Sequence, residues 1–290
     1  MQLEKEIEEL EAILASKSRV KTIIVKELKE VAEKYGQPRR SMIIYNDDAD
    51  FTEEEEEIPN YPVNLFLTKE GYFKKITPLS LRMGGEQKLK DGDEISQHIE
   101  ATNACEMLFF TNKCQVYKTR ACDFADTKAS VLGEYIPARL AMDEGEAVVK
   151  MVVTSDYSGI LIFAFENGKI AKVPLEAYAT KTNRKKLSNA YSDKSPLSDM
   201  CFIDSDCELL LTSSAGRMLL LHTGVLSLKT TRNTQGVAAM KLKKGHRLMM
   251  LSVYEEGTFS KPSRYRTKTL PSAGMLPSAE EDSSQQFSLI

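Results

Sequence analysis

The sequence predicts a mainly β protein, a radial array of four or more β-sheet blades preceded by an α-helical hairpin. Three observations carry this. A strand–turn–strand pattern recurs four times between residues 61 and 256. Throughout that stretch short apolar runs alternate with Gly, Asn, Asp and Lys, the texture of many short strands. Before it, two apolar stripes of helical period occupy the first 36 residues.

In the first stripe Leu3, Ile7, Leu10 and Leu14 recur at three- and four-residue spacing, with Glu4, Glu8, Glu9 and Glu11 on the other faces. Val20, Ile23, Ile24, Leu28, Val31 and Tyr35 form the second, with Ser16 or Ser18 as N-cap and Gly36 and Pro38 at its end. Helices this short are marginal alone in water, so the stripes call for a partner surface. Residues 1–40 form this helical segment. Residues 41–60 read as an acidic linker, self-repelling through Asp47, Asp48, Asp50 and the run Glu53–Glu57.

The repeat begins with Asn64–Lys75, an apolar strand, a tight turn and a second strand ending in lysine; Met107–Lys118, Ile160–Lys172 and Leu209–Leu220 repeat it. The turn residues Gly71, Cys114, Gly168 and Gly216 are about 43 to 54 residues apart. A period of this length with several strands per unit is the signature of blades, not of a sandwich. Three glycines suit the positive φ of a hairpin turn, and Cys114 departs from that rule. Further strands are expected at Asp93–Ile95, Ala147–Val153 and Val237–Leu242. Beyond Glu256 the chain turns to Ser, Pro, Thr and charge, and 257–290 read as a disordered tail.

Composition is that of an ordinary globular chain, with 42% apolar and 28% charged residues. No apolar run reaches eighteen residues, so no membrane partner is expected. The acidic start does not resemble a signal peptide, which points to the cytoplasm. Five irregularly spaced cysteines lack a Cys-x-x-Cys pair and read as reduced, mostly buried thiols. His98, His222 and His246 have no Cys or His at ligand spacing, so no metal is expected. The Asp48–Asp50 pair reads as linker, and no Gly-rich loop with Lys-Ser/Thr is present to hold ATP. Net charge is −3, but residues 1–60 hold 9 Lys+Arg against 16 Asp+Glu, whereas 151–250 hold 14 against 8. The local field matters more to a polyanion than the total does.

Three places resemble the A subunit of the bacterial type II DNA topoisomerases, gyrase and topoisomerase IV. Leu10–Leu14, the second helix and Lys34–Arg40 are similar to helices returning from the exit-gate coiled coil and ending in a double arginine. Thr68–Ser80 resembles the first blade of the family's β-pinwheel, and Thr230–Val237 its recurring Arg-x-Thr-x-Gly-Val segment. The resemblance spans about residues 1 to 250 and implies the C-terminal part of such a protein, with 61–256 a DNA-binding β-pinwheel.

Two departures qualify it. The gyrase-A box, typically Gln-Arg-Arg-Gly-Gly-Lys-Gly, is degenerate here. Arg82, Gly84 and Gly85 remain, but Met83 and Glu86 replace an arginine and a lysine. That box is tied to chiral wrapping of DNA, so the resemblance implies relaxation and decatenation over supercoiling. The domain carrying the family's catalytic tyrosine is absent from this stretch, so no catalytic residue is assigned and the chain is expected to be inactive alone. Arg264-Tyr265-Arg266-Thr267 imitates the arginine–tyrosine dipeptide, but in a segment read as unfolded. Magnesium and ATP would be used by other domains and by the B subunit, with no cofactor in this chain.

The expected partners are double-stranded DNA, the B subunit, and the remainder of the A subunit. The expected phosphate contacts are the cations after each repeated strand, Lys74, Lys75, Lys118, Arg120, Lys172 and Arg217. The basic cluster Lys181, Arg184, Lys185 and Lys186 joins them, with Arg82, Lys229 and Arg232. Backbone charge without a recognition helix implies salt-sensitive, poorly sequence-specific binding. The rival reading is a propeller-like protein scaffold or docking module that does not bind DNA; the absence of tryptophan removes the Trp-Asp blade signature.

Overall fold

In the computed structural model, residues 2–37, 58–180 and 185–278 are described. The chain divides into a helical unit and a β unit between Glu56 and Glu57. In the first unit α1 (Gln2–Leu14) and α2 (Lys17–Tyr35) pack together, with Ser16 and Gly36 at the two ends of α2. Neither helix has a buried residue. The readings of Met42–Tyr45, of the Asp48–Asp50 pair and of most of the acidic linker lie outside the described residues, as do residues 279–290.

The β unit holds sixteen strands among the described residues. In chain order they are β1 (Pro62–Thr68), β2 (Tyr72–Ile76), β3 (Ile95–Thr102), β4 (Glu106–Thr111), β5 (Gln115–Arg120), β6 (Glu134–Tyr135), β7 (Val148–Thr154) and β8 (Ile160–Phe165). There follow β9 (Lys169–Pro174), β10 (Lys186–Ser188), β11 (Leu197–Ile203), β12 (Glu208–Ser213), β13 (Met218–His222), β14 (Val237–Ala238), β15 (Leu248–Val253) and β16 (Arg266–Thr267). Two short helices interrupt them, α3 (Pro78–Met83) and α4 (Ile136–Arg139).

They form four four-stranded sheets, ordered β3-β1-β2-β6, β10-β5-β4-β7, β11-β8-β9-β14 and β15-β12-β13-β16. Each blade is a hairpin, a third strand on one side, and a closing strand on the other. The closing strand of blades 1 to 3 comes from the chain that follows the next blade's hairpin, so neighbours are interlocked. Cys114 adopts φ 55°, so the non-glycine turn takes the same left-handed conformation as Gly71, Gly168 and Gly216.

The repeated strands are buried on both faces, which is why they read as continuous apolar runs and not as alternations. Successive residues serve opposite neighbours. From β8, Leu161, Phe163 and Phe165 pack with Leu108, Phe110 and Val116 of blade 2. From the same strand, Ile162 and Ala164 pack with Leu209, Leu211, Leu219 and Leu221 of blade 4. Blades 1 and 2 are joined likewise by Leu65, Leu67 and Phe73 against Met107, Phe109 and Met151.

Two expectations are corrected. Val237–Ala238 is not a third strand but the closing strand of blade 3, antiparallel to Ile170 and Lys169. The third strand there is β11, whose mixed burial offers no clean period. The second correction concerns the tail. Residues 257–278 are folded onto blade 4, with Phe259 and Tyr265 buried against Met218 and Leu220. The segment follows the path of the other closing segments. Arg266 lies parallel beside Leu220, as Asp126 does beside Lys75 and Leu228 beside Lys172. Met275 then pairs antiparallel with Met218, as Glu134 does with Phe73 and Val237 with Ile170. A glycine of positive φ precedes each return, Gly133, Gly236 and Gly274. Here a side chain is excluded, because an added Cβ would lie 2.4, 2.0 and 2.7 Å from the carbonyl oxygens of Phe73, Ile170 and Met218.

Candidate nucleic-acid interface

The cations expected along the blade edges divide into structural and exposed groups. Lys75, Lys118 and Lys172 each lie four residues after a turn residue, and all three point into the next blade. Lys75 Nζ donates to Asn103 Oδ1 at 2.7 Å and pairs with Asp126 at 3.1 Å. Lys118 Nζ donates to the Tyr178 carbonyl and to Thr180 Oγ1, stands over the Tyr157 ring and lies 3.7 Å from Glu106. Burial pulls its pKa down, with Glu106 opposing. Lys172 Nζ donates to Asp206 at 2.5 Å and to the Thr223 carbonyl at 3.1 Å. Lys74, Lys75 and Lys172 are buried. These lysines are internal pegs between blades, and their reading as phosphate contacts is corrected. Their ammonium groups donate to protein acceptors, Lys75 and Lys172 within the interior and half-buried Lys118 at its margin.

Lys74 faces the other way and supports the loop after α3. Its ammonium donates to Gln87 Oε1 at 3.1 Å, the Lys88 carbonyl at 2.7 Å and the Ala129 carbonyl at 3.1 Å. Arg217 is half-buried and donates to the Gly274 carbonyl at 2.8 Å, so it fixes the last closing segment. Arg82, Arg120, Lys185, Lys186 and Lys229 are exposed, and Arg232 is half-buried with its guanidinium 5.9 Å from the Tyr178 ring centre. Lys186 pairs with Asp143 at 3.0 Å, and its pKa is raised by the Tyr117 hydroxyl and Asp143. Lys181 and Arg184 lie outside the described residues.

Most of these exposed cations thus belong to the closing segments of blades 2 and 3. Where blade 2 meets the closing segment of blade 1, a cleft of about 620 Å³ brings together Lys118, Arg120, Arg139 and Lys185, with Glu106 and Asp123 on its wall. Arg139 is placed there by α4, donating to the Asp123 carbonyl at 2.9 Å and pairing with Glu134 at 3.0 Å. The sequence reading missed it, because α4 is four residues long and has no period. Among the described residues no group of His, Cys, Asp and Glu could hold a metal ion. Nor is any described helix long and apolar enough to cross a membrane.

The model of the DNA gyrase C-terminal domain, a β-propeller, matches residues 208–252, which span the hairpin and third strand of the fourth blade and the closing strand of the third. The A subunit of DNA gyrase from Streptomyces coelicolor is 27% identical over 278 residues, covering 89% of this chain and 32% of that protein. The A subunit of DNA topoisomerase 4 from Staphylococcus aureus is 26% identical, covering 83% of this chain and 31% of that protein. The chain is similar over most of its length to a third of the gyrase and topoisomerase IV A subunits. It spans about a third of the length of these relatives. The solved C-terminal domain of DNA topoisomerase IV superposes with a TM-score of 0.66 at 23% identity, over 76% of this chain and 73% of that one. That of DNA gyrase A gives 0.51 at 18% identity, over 74% and 76%. Both likenesses show the β-pinwheel fold.

The stretch that resembles a degenerate gyrase-A box lies at the end of α3 and in the loop after it. Thr77 caps the helix through its hydroxyl, which accepts from the Ser80 amide at 3.3 Å, and Pro78 occupies the first turn. Gly84 packs against Ala129, with an added Cβ at 3.0 Å, whereas nothing approaches Gly85 within 4 Å. The loop keeps close backbone packing and an exposed Arg82, but offers Glu86 where the family's box has a lysine.

Proposed function

We propose that this chain binds duplex DNA through backbone phosphates along the closing edge of its pinwheel, as the C-terminal domain of a topoisomerase A subunit. The observation that carries the reading is the placement of exposed Lys185, Lys186 and Lys229, with half-buried Arg232, along the closing segments of blades 2 and 3, on short strands and loops. No element there is built to enter a groove, so such an edge follows a curved phosphate backbone and favours DNA that bends easily. Its role in the intact enzyme is to hold the segment to be transported. The rest of the A subunit supplies cleavage, and the B subunit supplies ATP hydrolysis and magnesium chemistry, in the cytoplasm. The degenerate box supports relaxation and decatenation over supercoiling, because Met83 and Glu86 remove two phosphate-neutralising charges and add a repulsive one.

The test is binding of the 290-residue chain to a 40-base-pair duplex by fluorescence anisotropy across a salt series. Affinity should fall steeply with salt and be alike for unrelated sequences. Replacing Arg184, Lys185 and Lys186 by Ala should lower the log–log slope by about 2 to 3, at ~0.9 for each phosphate no longer neutralised. Absence of binding at low salt overturns the reading in favour of a protein-docking module. Nicked plasmid resealed in the presence of the chain should keep its linking number; a shift of defined sign would overturn the non-wrapping part.

A further inference from the structure

The segment 257–278 has the backbone path of a closing segment without a following hairpin in front of it. It is held by more than the two bridges. The Tyr265 carbonyl accepts from the Leu220 amide at 2.8 Å, and Ser272 exchanges hydrogen bonds with Lys241 and Ala239 at 2.8 and 2.9 Å. Arg266 forms a bidentate pair with Glu208 at 2.7 Å for both bonds. Through Ser272 the segment also joins the closing segment of blade 3, so the two edges are continuous.

The closing segments are acidic in blade 1 and cationic in blades 2 to 4. The first, residues 121–139, carries Lys128 and Arg139 against Asp123, Asp126 and Glu134. The second, 175–190, carries Lys181, Arg184, Lys185 and Lys186 against Glu176. The third, 223–242, carries Lys229, Arg232 and Lys241 with no acid. The last, 257–278, carries Lys261, Arg264, Arg266 and Lys268 with no acid. Lys261, Arg264 and Lys268 are exposed, and none has an ion-pair partner among the described residues.

We infer that residues 257–278 are a phosphate-binding element, with as many unpaired cations as the closing segment of blade 3, and that a duplex is engaged along blades 2 to 4, with blade 1 contributing little. This rests on the DNA reading above. Phosphodiester is the ligand class this edge suits: a row of unpaired cations on backbone fixed by buried Phe259 and Tyr265, so little ordering entropy is lost on binding. A disordered basic tail would lose far more.

The full chain carrying Lys261→Gln, Arg264→Gln and Lys268→Gln together tests this, since these exposed side chains leave the docking of the segment intact. Unchanged thermal melting would confirm the fold. Duplex affinity measured against salt should weaken tenfold or more at low salt, with the slope lower by about 2 to 3. Lys128→Gln in the first closing segment should leave both unchanged. If the wild-type chain binds and the triple variant binds equally well, the inference is overturned while the DNA reading stands. If Lys128→Gln weakens binding as much as the triple variant, the minor role of blade 1 is overturned. A wild-type chain that does not bind overturns the DNA reading first and this one with it.

Discussion

The Lys172 ammonium meets the Asp206 carboxylate at 2.5 Å, and this pairing joins blade 3 to blade 4. Asp206 is held below the usual carboxylate range by Lys172 first and by the Thr223 hydroxyl next. Lys75 and Lys118 occupy the same place in blades 1 and 2, each four residues beyond its turn. In blade 4 that place is Leu220, whose outer face is covered by Tyr265 and not by a polar neighbour. The side chain at this position is therefore chosen by what the adjoining element offers.

Replacing Lys172 by Ala should cost about 1 to 3 kcal/mol in urea unfolding, because the Asp206 carboxylate is left with the Thr223 hydroxyl and the Thr223 carbonyl with the Leu226 amide alone. The Asp206 side chain is 43% exposed, which keeps the value below that of a dry pair. Duplex affinity of the folded variant should be unchanged. A loss of affinity with full stability would return Lys172 to the interface.

These lysines mark where legibility in the sequence ends. The hairpins were readable because both faces are buried and the turns carry Gly71, Gly168 and Gly216, and even Cys114 keeps the positive φ its place requires. The closing strands were not, since two or three residues such as Glu134–Tyr135 or Val237–Ala238 are too few to show a period. A lysine ending a strand reads as exposed by default. Its recurrence at a fixed offset was a signal, but an ambiguous one. The last segment was hidden by its Ser, Pro and Thr content, with Phe259, Tyr265 and the Ala273-Gly274-Met275 step as its traces.

Gly236 tests the interlocked topology. Its φ is +69°, and a Cβ there would lie 2.0 Å from the Ile170 carbonyl oxygen. Gly236→Ala should destabilise the chain by about 2 to 4 kcal/mol, combining backbone strain with displaced strand pairing. Hydrogen exchange should localise the opening to the amides of Ala239 and Met240, which donate to the Gly168 carbonyl. A variant as stable as the parent would contradict the closing role of this segment.

Acid should loosen the last closing segment. Arg266 holds the Glu208 carboxyl below its ordinary value, with burial opposing. A depressed folded pKa means stabilisation that is full above the unfolded value near 4.3 and is lost as pH falls through the folded one. Exchange at the Leu220 amide, corrected for intrinsic rate, should therefore accelerate below about pH 4. Glu208→Gln should show the faster exchange already at neutral pH and lack the acid step.

Lys74 connects the loop after α3 to the sheet beneath it. No carboxylate lies within ion-pair distance of its ammonium among the described residues, and burial lowers its pKa. The group is nonetheless satisfied, because its donors meet Gln87 and the carbonyls of Lys88 and Ala129. Lys74→Met would keep the aliphatic stem, leave the Lys88 carbonyl without its donor and the Ala129 carbonyl with the Lys88 amide alone, at about 1 to 3 kcal/mol. The Lys88 amide, which donates to the Ala129 carbonyl at 2.9 Å, should then exchange faster, while amides of blade 4 are unaffected. The same variant separates two roles. A support for the loop after α3 predicts lost stability with an unchanged salt slope, because the lysine has no free donor for a phosphate. A direct phosphate ligand predicts the reverse, a slope lower by about 1 at full stability.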